Sequence, residues 1–61
     1  MKRRELIKRL TACGCCLLRE GGRHSVWGNP QNSRKAVVPR HREIQDLLAK
    51  KIFRDLQIPE S

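Results

Sequence analysis

The order of patterns along these 61 residues predicts an α+β fold, α-β-β-β-α, in a single domain over residues 1–61. Three observations carry that prediction: an apolar face at helical spacing near each end, three short strand-like runs between them, and turn chemistry at the junctions. A three-stranded antiparallel sheet this small is stable only when both helices cover one of its faces. The other face then stays open to solvent or to a ligand.

In the first segment Leu6, Ile7, Leu10 and Cys13 fall at i, i+1, i+4 and i+7, with Arg4, Lys8 and Thr11 on the other side. Glu5 precedes Arg9 by four residues, the favourable order for an intrahelical pair, and Gly14 supplies a stop. A helix is expected over 3–13. Two short runs then flank Gly21-Gly22, a hairpin signal in which glycine supplies the positive φ angles of a tight turn. Asn29-Pro30-Gln31-Asn32-Ser33 is a second turn, and Lys35-Ala36-Val37-Val38 is a third strand that Pro39 ends. In the last segment Ile44, Leu48, Ile52 and Leu56 recur every four residues beside Ala49 and Phe53, opposite Asp46, Lys50 and Arg54. Leu47 stands off that stripe, so the regular helix is expected to begin near it with Asp46 as its cap. Residues 40–45 are left as an extended or loop connection, and Gln57-Ile58-Pro59 closes the helix.

A domain of about 60 residues buries only about 60% of the surface its unfolded chain exposes. Enzymes that need two domains are excluded, and any catalysis must be minimal. Fourteen Lys or Arg against six Asp or Glu give a formal charge of +8. A field of that size destabilises a compact chain unless a polyanion answers it, and nucleic acid is the leading partner. An anionic membrane surface or an acidic protein would answer it too. No apolar stretch approaches the roughly 18 residues of a membrane-spanning helix, and none has the layout of a signal peptide, so the expectation is a cytoplasmic protein without a membrane partner.

Cys13, Cys15 and Cys16 are odd in number and clustered, which makes no disulfide framework, and neither His24 nor His41 stands at zinc-finger spacing. They read as reduced, half-buried side chains, with no metal and no cofactor expected. The six carboxylates are scattered, so a two-metal nuclease centre lacks ligands, and neither G-x-x-x-x-G-K nor G-x-S-x-G occurs. Cleavage of nucleic acid by this chain would be metal-free.

His24 follows Gly21-Gly22-Arg23 at the entrance to the second strand. Imidazole takes and gives a proton near neutral pH without special tuning, and the glycines let a phosphate backbone approach it closely. Spacing alone leaves open an ordinary surface histidine at a hairpin edge. His41, in Pro39-Arg40-His41-Arg42, either contacts RNA or assists the charge chemistry, or is a solvated loop residue that packs against its neighbours. Trp27 either stacks on a base or fills the space under a helix; with one other aromatic in the chain, the core needs it. The cations group as Lys2-Arg3-Arg4 with Lys8-Arg9, then Arg34-Lys35, then Arg40 and Arg42, then Lys50-Lys51 and Arg54. Each group alone is a wet face, but together they suit salt-sensitive phosphate binding without sequence readout.

Double-stranded-RNA-binding domains have this element order and these proportions. More specifically, the chain resembles HicA-type toxins. The residues that carry the likeness are Lys-Arg-Arg-Glu-Leu-Ile-Lys at positions 2–8, Gly21-Gly22-Arg23-His24-Ser25, Asn29-Pro30, Val38-Pro39-Arg40-His41 and the terminal Ile58-Pro59. The resemblance implies a fold related to those RNA-binding domains, an mRNA-cleaving activity, and neutralisation by a HicB-type antitoxin. It also places the catalytic histidine at His24. Arg23 stands where the family often has Ser or Asn, and Leu47-Leu48 where it often has Gly-Thr. On this reading His24 is the general base toward the ribose 2′-hydroxyl, and RNA contacts fall to Gly22, Arg23, Lys35, Arg40, His41, Lys2 and Arg3. Arg23, with Lys35 or Arg40, would face the charge that develops on phosphorus. A non-catalytic RNA-binding module with the same basic surface is the competing reading.

Overall fold

The computed structural model describes residues 1–59. Its elements are α1 (Arg3–Ala12), β1 (Cys16–Glu20), β2 (His24–Asn29), β3 (Arg34–Pro39) and α2 (Asp46–Leu56), the expected order. The sheet is antiparallel throughout, in the order β1-β2-β3. Strand alternation sorts its two faces. Ser25, Trp27 and Asn29 on β2 and Ala36 and Val38 on β3 are buried, and the apolar ones join Leu6 and Leu10 of α1 and Ala49, Ile52, Phe53 and Leu56 of α2 in one core. The opposite face carries the pairs His24↔Pro39, Val26↔Val37 and Gly28↔Lys35. That face is the open one.

β1 is an edge strand and is exposed along its whole length. Its register slips between Leu17 and Arg19, a bulge that lays Leu18 over Gly28, where an added Cβ would collide with the leucine side chain. A side chain at Gly28 would oblige the half-exposed Leu18 to move off this face.

The first hairpin forms, but not for the reason its double glycine suggests. Among the described residues Gly14, at φ +86°, is the only glycine in the left-handed region, so neither Gly21 nor Gly22 supplies a positive φ. Glu20↔Ser25 is the last strand pair and the Gly21 N–H donates to the His24 carbonyl at 2.8 Å, giving a wider loop than a two-residue turn. At Gly21 the glycine serves space instead of torsion. A Cβ on Gly21 would press to 3.2 Å from the His24 carbonyl oxygen, while one on Gly22 would meet nothing within 4 Å.

The second turn satisfies the end of α2. Asn29 and Asn32 donate their side-chain amides to the Leu56 carbonyl at 2.9 and 3.1 Å, and Arg34 Nε reaches the Asp55 carbonyl at 3.1 Å. These are carbonyls that a helix leaves without internal partners. Gln57 adopts a left-handed conformation, and the Ile58 N–H returns to the Phe53 carbonyl at 3.0 Å while its side chain is buried. The helix start differs from expectation. Gln45 occupies the cap position without a side-chain bond, and Asp46 lies in the first turn, where its carboxylate accepts from the Met1 ammonium at 3.2 Å. That hydrogen bond, more than any other contact, raises the pKa of the amine. Leu47, off the apolar stripe, is 80% exposed.

Residues 40–45 form an irregular connection with a bend at Arg42, and the start of the chain lies against it. Lys2 and Glu43 form a bridge, the Arg3 N–H donates to the Arg42 carbonyl at 2.9 Å, and the Ile44 N–H donates to Met1 at 2.7 Å. Two basic segments distant in sequence thereby become neighbours.

Trp27 packs on the helix-covered face, which settles its role as core, and its Nε1 is buried without a partner among the described residues. An unpaired buried donor costs about 1–3 kcal/mol. Trp27→Phe removes that penalty along with some volume, so it is expected to cost far less than the roughly 3–5 kcal/mol of Trp27→Ala. Urea unfolding of both variants measures the difference.

Candidate functional site

Where β2 begins and β3 ends, the sheet delivers its chemistry-bearing residues to one rim. His24, the first residue of β2, pairs with Pro39, and the Arg40 N–H donates to the Arg23 carbonyl at 3.1 Å, which carries the pairing one residue further. Both histidines are exposed. With Gly22, Arg23 and Arg40 they line one concavity of about 460 Å³.

A chain of polar contacts holds this rim. Arg3 is half-buried and donates from Nε to the Pro39 carbonyl at 3.0 Å and from Nη2 to Ser25 Oγ at 3.1 Å. Ser25, fully buried, donates in turn to Glu20 Oε1 at 3.2 Å. Arg40 Nη1 lies 3.5 Å from that same carboxylate oxygen and donates to the Gly21 carbonyl at 3.2 Å. The start of α1, the hairpin and the end of β3 are thus joined through Arg3, Ser25, Glu20 and Arg40. The exposed Arg40–Glu20 pair contributes at most about 1 kcal/mol to overall stability. Its consequence is the position of the loop beside His24.

A second hollow, of about 500 Å³, is lined by Lys2, Arg3, Arg4, Arg40 and Arg42. Arg40 stands on the wall of both hollows. Five cations and no carboxylate line it, an arrangement that favours an anion. Arg3 and Arg4 moreover lie in the first turn of α1, where the helix dipole disfavours positive charge, so their placement does not serve the helix.

Of the residues the sequence pointed to, Gly22, Arg23, His24, Arg40 and His41 share one concavity, and Lys2 and Arg3 line the adjoining cleft. Lys35 stands apart. It pairs with Gly28, four residues along β3 from Pro39, or about 13 Å at the usual strand rise. Arg4, Arg42, Glu20 and Ser25 were not singled out from the sequence for the site. Arg4 read as the wet side of a helix, and only the folded pairing of residues 1–3 with 42–44 brings it opposite Arg42.

Cys15 is buried and Cys16 exposed, and burial pushes the Cys15 thiol pKa up, with Cys13 and Cys16 adding to the effect. Among the described residues no three His, Cys, Asp or Glu side chains converge as a metal site, and no helix is long and apolar enough to cross a membrane. A family model described as the HicA toxin of bacterial toxin-antitoxin matches residues 3–58. No curated protein and no solved structure matches the chain.

Proposed function

The chain belongs to the HicA toxin family of bacterial toxin–antitoxin systems, and from that premise we propose that it is a metal-independent endoribonuclease that cleaves mRNA in the cytoplasm and is neutralised by a HicB-type antitoxin. The observation that carries the reading is His24, exposed in a hollow walled by Arg23 and Arg40 and left roomy by Gly22. RNA brings its own nucleophile. His24 takes the proton of a ribose 2′-hydroxyl as that oxygen attacks the adjacent phosphorus in line; the O2′–P bond forms, the P–O5′ bond breaks, and a 2′,3′-cyclic phosphate remains. Arg23 and Arg40 face the charge that builds on the non-bridging oxygens.

The five-cation cleft, which shares Arg40 with this hollow, suits neighbouring phosphates of the same strand. Phosphate contacts carry no sequence information, so affinity from this cleft is general. The excess of positive charge also suits an acidic antitoxin, whose capture electrostatic steering would accelerate.

The test is incubation of purified protein with RNA in excess chelator. Cleavage is expected to proceed undiminished and to stop when the partner is added. RNA that is bound but never cut would overturn the reading in favour of a non-catalytic RNA-binding module, and activity lost to the chelator would refute its metal-free form.

A further inference from the structure

We propose that His41 is the general acid of the reaction, protonating the leaving 5′-oxygen while His24 deprotonates the 2′-hydroxyl. The inference rests on the ribonuclease reading and adds to it the group that completes the proton balance. Its ground is the way the two strands end. His24 stands opposite Pro39 and the Arg40 N–H reaches the Arg23 carbonyl, so the hairpin loop with Gly22 and the connection with His41 leave the sheet at the same end. His24 and His41 both line the hollow there. Gly22 lines it too and has no side chain; an added Cβ would find open space. Two imidazoles therefore share one concavity, with Arg23 and Arg40 on its walls.

That is the layout an in-line displacement requires. The attacking and departing oxygens lie on opposite sides of phosphorus, so the base and the acid must approach it from two directions. In the step, the 2′-hydroxyl proton passes to neutral His24 while protonated His41 gives its proton to O5′ as the P–O5′ bond breaks. His24 ends protonated and His41 neutral, and exchange with water restores both. The charged groups that share the concavity with His41 are Arg23 and Arg40, beside His24, and Arg40 is engaged by Glu20. Arg42 follows His41 directly in the chain and turns to the five-cation cleft.

The experiment compares ordinary RNA with the same RNA carrying a bridging 5′-sulfur at the scissile phosphate, a leaving group that departs without protonation. His41→Ala is expected to cut ordinary RNA about 10²–10⁴-fold more slowly than the parent, yet to cut the sulfur substrate within a few-fold of it. The parent's rate on ordinary RNA should fall on both sides of an optimum pH, and His41→Ala should lose the alkaline fall, because the acid acts only while protonated. His24→Ala should be slow on both substrates. A His41→Ala protein that cuts ordinary RNA at the parent rate overturns the proposal. So does one slowed equally on both substrates with the alkaline fall retained, the signature of a mere phosphate contact. Failure of the parent to cut RNA, or full activity in His24→Ala, would instead sink the underlying ribonuclease reading. Circular dichroism checks that each exposed-histidine variant keeps its fold.

Discussion

RNA with a single deoxyribose at the scissile nucleotide is expected to survive incubation with this protein, while cleavage at unmodified positions continues. The expectation follows from the economy of the site. The residues that share the hollow with His24, namely Gly22, Arg23, Arg40 and His41, bring no hydroxyl, and the hydroxyl of the adjoining Ser25 is fully buried and bonded to Arg3 and Glu20. Removal of the 2′-hydroxyl therefore removes the attacking atom. Binding should change little, because on the proposed reading the cations of the adjoining cleft hold phosphates, which the deoxy substrate retains. The measurement is a gel assay of cleavage beside a filter-binding titration at one fixed salt concentration. Cutting at the deoxy position would mean that water is the nucleophile, and the proposed chemistry would be wrong at its first step.

The second large effect is that of His24→Ala, expected to lower cleavage by about 10²–10⁴-fold. Little of that loss should be structural. The His24 side chain is exposed, and its contribution to the sheet is made by its backbone, which pairs with Pro39 and accepts from Gly21. Substitutions of that kind usually fall within about 0.5 kcal/mol. Thermal unfolding followed by circular dichroism should superimpose on the parent within a few degrees while the cleavage rate collapses. An undiminished rate would remove His24 from the mechanism.

The five elements were legible because each is signalled locally, by an apolar stripe, a stop residue or a turn cluster. Gly14 ends α1 where its position implied, at a left-handed φ of 86°. The errors lie where a local signal has two physical causes. Gly21-Gly22 suggests left-handed torsions, but neither residue adopts one and at Gly21 what counts is missing volume, and no pattern in one sequence separates those two uses. Asp46 has a cap's chemistry, yet its carboxylate is engaged by an amine from the other end of the chain.

The candidate site was legible only in part, for the same reason. His24 stood out from its immediate neighbours. Its relation to His41 depends on strand register, and the meeting of residues 2–4 with Arg40 and Arg42 depends on the Lys2↔Glu43 bridge, both of them tertiary facts. Lys35 looked equivalent to Arg40 as a basic residue of the same strand region, but an extended chain carries it too far along β3. Glu20 looked like one of several scattered acids until the hairpin set it against Arg40.

The line of contacts from Arg3 through Ser25 and Glu20 to Arg40 has a further consequence for how such a chain can change. The apolar interior holds two helices to the sheet, and the rim is fastened by a polar line of which only Ser25 is fully buried. Apart from Ser25, the residues that hold the fold and those that line the clefts are nearly separate sets. On the proposed reading, the cleft lined by Lys2, Arg4 and Arg42 can be altered in how strongly it holds phosphates, or refitted to another inhibitor's surface, without spoiling the core beneath. A domain this small gains from that separation a freedom to diversify that its size alone would not suggest.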